Sequence, residues 1–502
     1  KLSSRVRDFG IEVATKSRKI SQWLKGREVV GKAQLDDKNA ARLFSTLGDL
    51  EYVYTFMREN ARYTLSEKEE NIITVKDSNG VDALLDLREL IETEQRYEVD
   101  LEDGKGMRVI ETQAELMGHT RSIDPRVREN TYRALFAAFE KNIDKYQLIY
   151  QSIVKDWGED ARLRGYATPI AMRNHANHVP DRAIETLMSV CSGNLGVFHD
   201  FFKVKASLMG IEKLRRFDLY APLGEAESQY DYAEAQQLVD DVFAGFSESF
   251  VSKAREVVEA QHIDVLAGPT KRGGAFATTV NPGITPYVFL NYTGKARDVS
   301  TLAHELGHAV HFLYAKDKPY GAQFASLPLS ETASTFGEML LFEHLLSKSS
   351  NDNERIVMLA DKLADAYATI IRQNYFVKFE IEAHAKMKDG LGVEELSDMW
   401  LDTLREQFGD AVEIDPIFAK EWSYIPHIVH TPFYCYAYSF GDLLSLALFA
   451  RYKKEGASFV PKIEAILAAG GSRDPQEVLM EVGVDMTDAS FWQGSFEILK
   501  GW

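Results

Sequence analysis

The residues best suited to do chemistry are two histidines one helical turn apart, in the segment His304-Glu305-Leu306-Gly307-His308. On a helix, positions i and i+4 share one face, so His304 and His308 can direct ring nitrogens at a single point. The H-E-x-x-H spacing is typical of zinc peptidases, in which the intervening glutamate is the general base. The segment therefore predicts a metal centre with Glu305 as its base.

A catalytic zinc site takes three protein ligands and keeps one position open, so a third ligand must lie elsewhere. The metzincin extension requires Gly and His where this chain has His311 and Tyr314, which excludes that class. Further along, Glu331 and Glu338 lie seven residues apart and therefore on one face of a second helix. Either can ligate the metal while the other accepts a hydrogen bond from a ligating histidine.

Two predicted strands precede the predicted helix that carries the two histidines. Residues 286–290 predict a strand that leads through a turn to the metal-binding helix, with Asp298 as the N-cap. Residues 275–280 predict a second strand, which makes a hairpin-like pair in an otherwise helical chain. Residues 354–379 predict one long helix with a buried face.

Gly273, Gly274 and Ala275 lie at the start of the second predicted strand. A strand beside a zinc site can hold an extended peptide by main-chain hydrogen bonds, and glycines permit close approach of a backbone. These three residues are therefore candidate substrate-binding residues. The alternative is a structural hairpin with a plain glycine turn.

The run of residues 301–311, followed by Glu331-Thr332-Ala333-Ser334, resembles the oligoendopeptidase F branch of the thimet oligopeptidase family. The resemblance implies one Zn²⁺ per chain, with Glu331 as its third ligand and Glu338 as the hydrogen-bond acceptor of a ligating histidine. It implies a mainly α protein, a two-part helical ellipsoid with a deep central channel and a small β-hairpin or sheet beside the zinc-binding helix. Such a channel admits oligopeptides and excludes folded proteins, so the implied activity is endopeptidase action on short peptides.

A second candidate segment lies between His427 and Tyr438. Thr431 followed by proline predicts a helix start, which puts Tyr434 and Tyr438 on one face and Tyr436 on another. The segment resembles the family's histidine-and-tyrosine segment, which implies that His427 and a tyrosine stabilise the oxyanion formed during peptide hydrolysis. The order of preference is Tyr438, Tyr436, Tyr434, and aromatic core packing is the alternative.

Composition limits the partners. A net charge of −18 over 502 residues argues against nucleic acid or an anionic membrane as a partner. The only cysteines, Cys191 and Cys435, exclude a disulfide scaffold and suit a reducing compartment. No apolar stretch reaches the length of a membrane span, and the first residues lack the apolar core of a signal peptide. We expect a cytoplasmic protein with oligopeptide substrates, and the sequence predicts no oligomeric state.

The glycine-punctuated, acidic residues 100–106 mark a soft boundary, after which helix starts such as that at Asp124 are well defined. We therefore predict an N-terminal helical domain over residues 1–120 and a catalytic zinc peptidase domain over residues 121–502. Alternative functions are a dipeptidyl peptidase or carboxypeptidase that uses the same site, or a catalytically inactive peptide-binding protein.

Overall fold

The computed structural model describes residues 2–29, 33–224, 229–268, 271–387 and 390–502. Helices make up 71% of the structure, and the strands form small sheets, which confirms the predicted mainly α class. Within the described residues, no helix is both long enough and apolar enough to cross a membrane.

The helices and strands follow one another in this order along the chain. The helices before the metal motif are α1 (Leu2–Leu24), α2 (Asp37–Phe44), α3 (Glu51–Glu59), α4 (Glu67–Asn79), α5 (Val81–Glu94), α6 (Gln113–Gly118), α7 (Pro125–Glu140), α8 (Ile143–Arg164), α9 (Pro169–Ala176), α10 (Asp181–Gly193), α11 (Leu195–Leu208), α12 (Tyr232–Phe246) and α13 (Glu248–Glu259). Those from the motif onward are α14 (Ala296–Tyr314), α15 (Tyr320–Gln323), α16 (Leu327–Ser330), α17 (Thr332–Lys348), α18 (Asp352–Ala366), α19 (Arg372–Lys386), α20 (Val393–Phe408), α21 (His427–His430), α22 (Tyr436–Glu455), α23 (Val460–Ala469), α24 (Pro475–Glu481) and α25 (Ala489–Gly501). The strands are β1 (Tyr97–Asp100), β2 (Met107–Ile110), β3 (Leu214–Arg215), β4 (Ile263–Leu266), β5 (Phe276–Thr278), β6 (Tyr287–Tyr292) and β7 (Val412–Glu413).

The chain forms two compact units, each built from several segments. Unit 1 comprises Lys1–Ala176, Phe202–Pro222 and Asn374–Cys435, and unit 2 comprises Asn177–Phe201, Leu223–Gln373 and Tyr436–Trp502. The domain boundary predicted near residue 120 lies inside unit 1, and as a boundary along the chain it stays a prediction. The ellipsoid with a central channel also stays a prediction.

In unit 1, buried ion pairs join segments that are distant in sequence. Arg128 pairs with Asp218 at 2.8 Å and Arg216 pairs with Glu421 at 2.7 Å, with all four side chains at most 3% exposed. Removing one partner of such a pair leaves a buried charge, which destabilises a protein by about 3–5 kcal/mol. The short parallel pairing of β3 with β7 joins two of the same segments.

In unit 2, a three-stranded sheet in the order β4-β6-β5 packs against α14. β5 runs antiparallel to β6, as the predicted hairpin-like pair requires, and residues of β6 alternate between buried and more exposed positions. β4 was not predicted from the sequence. It runs parallel to β6, and a parallel partner is supplied by tertiary structure rather than by a local turn.

One local prediction in unit 2 is wrong. α14 begins at Ala296 with Lys295 at the N-cap, and Asp298 instead accepts the backbone N–H of Thr293 and Lys295 from inside the first turn. The helix predicted over residues 354–379 is present, and it contains a π-helical segment, Tyr367–Ile371, between α18 and α19. Ser439 donates a hydrogen bond to the Ile370 carbonyl at 2.8 Å, so the π-helical segment has a partner from outside its own helix.

Candidate metal centre

The two helices that carry the candidate ligands touch at a glycine. α14 carries the motif, and α17 begins immediately after Glu331. A Cβ on Gly307 would lie 2.5 Å from Ser334 Cα and 2.6 Å from the Ala333 carbonyl oxygen. Any side chain at position 307 would therefore push α17 away from α14, so the glycine inside the motif sets the distance between the two helices.

His304, His308 and Glu331 bring one ligand atom each to a common point. Nε2 of His304 lies 3.1 Å from Nε2 of His308 and 3.6 Å from Oε2 of Glu331. Nε2 of His308 lies 3.3 Å from the same carboxylate oxygen. These are the three residues that the sequence predicts as metal ligands, and of the two candidate glutamates it is Glu331 whose oxygen faces both histidines.

Glu338 takes the second role predicted for the two glutamates, that of hydrogen-bond acceptor for a histidine. His304 Nδ1 is bonded to Glu338 Oε1 at 2.5 Å, which leaves Nε2 directed at the common point. Burial disfavours the charged carboxylate, but Lys362 and His304 outweigh it and lower the pKa of Glu338 to about 2. Burial likewise lowers the pKa of His304, yet the hydrogen bond that His304 donates to Glu338 and the nearby negative charges outweigh it and raise the pKa to about 9.

Glu305 lies on α14 between the two histidines and is only 6% exposed. Among the described residues, its Oε2 atom has no hydrogen-bond partner. Burial is the main cause that raises the pKa of Glu305, while His304 and His308 oppose it. A buried carboxylate next in sequence to His304, with an oxygen that has no hydrogen-bond partner among the described residues, is suited to accept a proton.

The structure separates two of the candidate tyrosines. Tyr438 lines a cavity of about 290 Å³ whose walls include His304 and Glu331. Tyr436 is fully buried, and its hydroxyl accepts a hydrogen bond from Asn177 Nδ2 at 2.7 Å. Tyr438 therefore borders the candidate centre, whereas Tyr436 has the surroundings of a core residue, as the alternative of aromatic packing expects.

His427 and Tyr434 belong to unit 1, whereas the ligand atoms belong to unit 2. His427 begins the short helix α21, and the helix start predicted at Thr431 is wrong because α22 begins only at Tyr436. Between them Phe433 has a φ of +58°, a left-handed conformation that stops a helix from starting there. The assignment of His427 and Tyr434 to the site stays a prediction.

The candidate substrate-binding residues Gly273, Gly274 and Ala275 form the loop before β5, which is an edge strand of its sheet. Gly274 has a φ of +85°, which explains a glycine at that position as a turn residue. Asn291 fixes the loop by donating hydrogen bonds to the Arg272 carbonyl at 2.9 Å and the Gly274 carbonyl at 2.8 Å. The role of the three residues in substrate binding stays a prediction.

The profile of peptidase family M3 matches residues 119–498 of this chain. The chain belongs to peptidase family M3. Oligopeptidase PepF of Bacillus subtilis (strain 168) is 30% identical over 390 residues, which cover 77% of this chain and 58% of the relative. Group B oligopeptidase PepB of Streptococcus agalactiae is 26% identical over 473 residues, covering 93% of this chain and 78% of the relative. The crystal structure of oligoendopeptidase-F from Enterococcus faecium matches with a TM-score of 0.75 at 24% identity, over 97% of this chain and 82% of that one.

These matches confirm the resemblance to oligoendopeptidase F. The chain spans little more than half the length of its Bacillus subtilis relative, at 58%. The M3 match begins at residue 119, next to the predicted start of the catalytic domain at residue 121.

Membership of family M3 implies a metal ion, and the candidate ligands fit one. Around a tetrahedral zinc with bonds of about 2.0–2.2 Å, ligand atoms lie about 3.3–3.6 Å apart. The separations among His304, His308 and Glu331 are 3.1, 3.3 and 3.6 Å. Two imidazole nitrogens and one carboxylate oxygen are also a donor set that zinc takes.

Sequence reasoning missed two residues that hold the ligands. Ser334 Oγ donates to Glu331 Oε2 at 2.9 Å and thereby orients the carboxylate of this candidate ligand. Lys362 Nζ lies 3.5 Å from Glu338 Oε2. Ser334 has a signal in the sequence, because it follows Glu331 by three residues and so stands near it at a helix start. Lys362 has none, because it comes from a different helix.

Proposed function

We propose that this chain is a zinc metalloendopeptidase that hydrolyses internal peptide bonds of short oligopeptides. The observation that carries the proposal is the convergence of His304 Nε2, His308 Nε2 and Glu331 Oε2 within 3.1–3.6 Å of one another, in a member of family M3. The names of its relatives, oligopeptidase and oligoendopeptidase, support the same activity and substrate class.

In this proposal, His304, His308 and Glu331 hold one Zn²⁺ per chain. Zinc bound there supplies a Lewis acid for the scissile carbonyl and for the attacking water. Glu338 keeps the His304 ring oriented by accepting its Nδ1–H, and Ser334 keeps the Glu331 carboxylate oriented. The ligands are thus held in place before the substrate arrives.

The proton transfers fall to Glu305. Its Oε2 atom takes a proton from the attacking water and passes it to the nitrogen of the leaving amine. The Tyr438 hydroxyl, on the wall of the cavity beside the ligands, donates a hydrogen bond to the oxyanion that develops on the carbonyl oxygen. His427 is the second proposed donor to this oxyanion.

The substrate is proposed to lie along the edge strand β5, with Gly273, Gly274 and Ala275 in contact with its backbone. Main-chain hydrogen bonds to a strand edge do not depend on the substrate's side chains, so cleavage of varied peptides is expected. A central channel that excludes folded proteins, a cytoplasmic location and the absence of nucleic-acid or membrane partners complete the proposal. Zinc is the proposed metal among divalent ions.

The test is hydrolysis of an internally quenched oligopeptide blocked at both ends, by wild type and by Glu305→Gln, with zinc content measured for each. We expect wild type to cleave internally, and we expect Glu305→Gln to retain about one zinc per chain and to lose about 10²–10⁴-fold in kcat. Release of products only from peptides with free ends would replace the endopeptidase by an exopeptidase. A wild-type protein with neither zinc nor turnover would refute the proposal.

A further inference from the structure

Lys362 is a largely buried lysine on the wall of the cavity beside the candidate metal centre. Its side chain is 19% exposed, and the same cavity is lined by Glu338, Tyr438, Asp365 and Asp442. Among the described residues that line this cavity, Lys362 is the only lysine or arginine. A lysine so far from bulk water requires compensation by nearby negative charge.

Three carboxylates, Glu338, Asp442 and Asp365, act on Lys362, and Glu338 is both the strongest of these and the one that orients His304. Nζ of Lys362 lies 3.5 Å from Glu338 Oε2, while Glu338 Oε1 is 2.5 Å from His304 Nδ1. The two oxygens of Glu338 are therefore held from two sides, by a histidine of α14 and a lysine of α18.

The second contact restricts the Glu338 carboxylate in a way that the first cannot. The terminal torsion of a glutamate is broad, so a carboxylate held at one oxygen can still rotate. A bond to the other oxygen opposes this rotation and fixes the plane in which Glu338 meets the His304 ring. The direction of His304 Nε2 depends on that plane, because Nδ1 and Nε2 belong to one rigid ring.

We propose that Lys362 is a positioning residue, which fixes Glu338 against His304 and thereby raises the metal affinity of the site. The inference rests on the proposed function, since it concerns the zinc that His304, His308 and Glu331 would hold. The proposal predicts a change in zinc affinity that is opposite in direction to the change expected from a simple charge effect. Removal of a positive charge near a bound cation would by itself strengthen metal binding, whereas loss of positioning weakens it.

The experiment is measurement of the zinc dissociation constant by competition with a chromophoric chelator, for wild type, Lys362→Met and Lys362→Arg. We expect the Met variant to bind zinc about tenfold more weakly, in the range found for residues that orient metal ligands. The Arg variant keeps a cationic donor and is expected to restore most of the affinity. The visible spectrum of the cobalt-substituted protein should change in Lys362→Met and return in Lys362→Arg, because it reports the geometry of the ligands.

A double-mutant cycle tests whether Lys362 acts through Glu338. In a Glu338→Gln background, Lys362→Met should cause little further loss of zinc affinity, because the carboxylate that it positions is gone. The matched control is Lys316→Met, which removes a lysine 3.4 Å from Glu256 in unit 2, where both side chains are at least 40% exposed. This control should bind zinc as wild type does.

Three results would overturn the inference: zinc binding by Lys362→Met that equals or exceeds wild type, no recovery in Lys362→Arg, or a full additive loss in the Glu338→Gln background. Circular dichroism checks folding, and Lys362→Gln, with the same expected loss, replaces the Met variant if that variant does not fold. If the wild type binds zinc and cleaves peptide, and Lys362→Met binds zinc with unchanged affinity, this inference is refuted but the proposed function is not. A wild type without zinc refutes the proposed function as well.

Discussion

Unit 2 holds a histidine and a glutamate, His304 and Glu338, on two different helices, and unit 1 holds Glu380 and His384 on the single helix α19. In unit 2 the two side chains bond to each other at 2.5 Å. In unit 1, Glu380 Oε1 accepts the backbone N–H of Phe433 at 2.7 Å. Its other oxygen and both ring nitrogens of His384 have no hydrogen-bond partner among the described residues.

The pKa values of the two pairs are shifted in opposite directions. Burial works against charge in both, but in unit 2 the mutual contact and Lys362 outweigh it, so the pKa of Glu338 falls to about 2. In unit 1 burial prevails, which raises the pKa of Glu380 to about 8 and lowers the pKa of His384 to about 3. At neutral pH Glu338 is therefore ionised, whereas Glu380 and His384 form a neutral part of a core. The residue types are shared, but the side chains of His304 and Glu338 are 27% and 25% exposed, whereas Glu380 and His384 are 0% and 6% exposed. Partners and burial together make the difference.

The largest effect that we expect separates the two histidines. His304→Gln removes a proposed metal ligand and should abolish zinc binding and lower kcat/KM by about 10³-fold or more. His384→Gln changes a buried histidine of unit 1 and should leave kcat/KM within about threefold. Zinc content and peptide hydrolysis are measured for both variants. Equal losses of zinc and of kcat/KM in the two variants would contradict the distinction between the two histidines.

The second-largest expected effect comes from the close contact between α14 and α17, the helices that carry His304 and Glu338. Gly307→Ala would force α14 and α17 apart, and we expect the free energy of unfolding to fall by about 1–3 kcal/mol together with a weaker zinc affinity. The matched control is Gly245→Ala on α12, an exposed helical glycine with no atom within 4 Å of a built Cβ. It should stabilise the protein by up to about 1 kcal/mol. Urea unfolding and chelator competition give both quantities, and a tolerated alanine at position 307 would contradict the close approach.

A pH-dependent effect belongs to unit 1. Glu380 has a pKa of about 8 when folded and an ordinary value of 4.5, so between these pH values the folded state holds a proton that the unfolded state has lost. The contribution of Glu380 to the free energy of unfolding therefore falls as pH rises through this window. Glu380→Gln should remove this contribution, which is a few kcal/mol at most, and make the pH dependence of stability less steep. Urea unfolding of wild type and variant between pH 6.5 and 8 measures it, and parallel pH profiles would show that Glu380 is ionised in the folded state.

The smallest expected effect tests whether a hydrogen bond from a neighbouring residue helps to hold a candidate ligand in place. Ser334→Ala removes the hydrogen bond to Glu331 Oε2 and should weaken zinc binding by about threefold to tenfold. Ser347→Ala, on the same helix, removes only a bond to the His344 carbonyl and should leave zinc binding unchanged. Chelator competition compares the two, and equal zinc affinities would mean that Glu331 needs no support from Ser334.

Several elements could be predicted because their causes are local. The histidines share a face through helix periodicity, and Asp124 caps α7 through its own side chain as the sequence indicates. The predictions failed where a distant partner decides the local structure. The helix start expected at Thr431 is absent because Phe433 is held in a left-handed conformation with its N–H on Glu380. The π-helical segment and β4 likewise depend on partners from other parts of the chain.

The mainly helical class, the family and the residues that converge as candidate ligands could all be predicted from the sequence, because these follow from periodicity and from short motifs. The folded structure was needed to show which glutamate oxygen faces both histidines, which tyrosine borders the cavity and which lies in the core, and that Lys362 reaches Glu338. The physical reason is that each of these depends on the distance between elements far apart in sequence. For Glu331 and the two histidines, that distance is set by the packing of α14 against the start of α17 at Gly307.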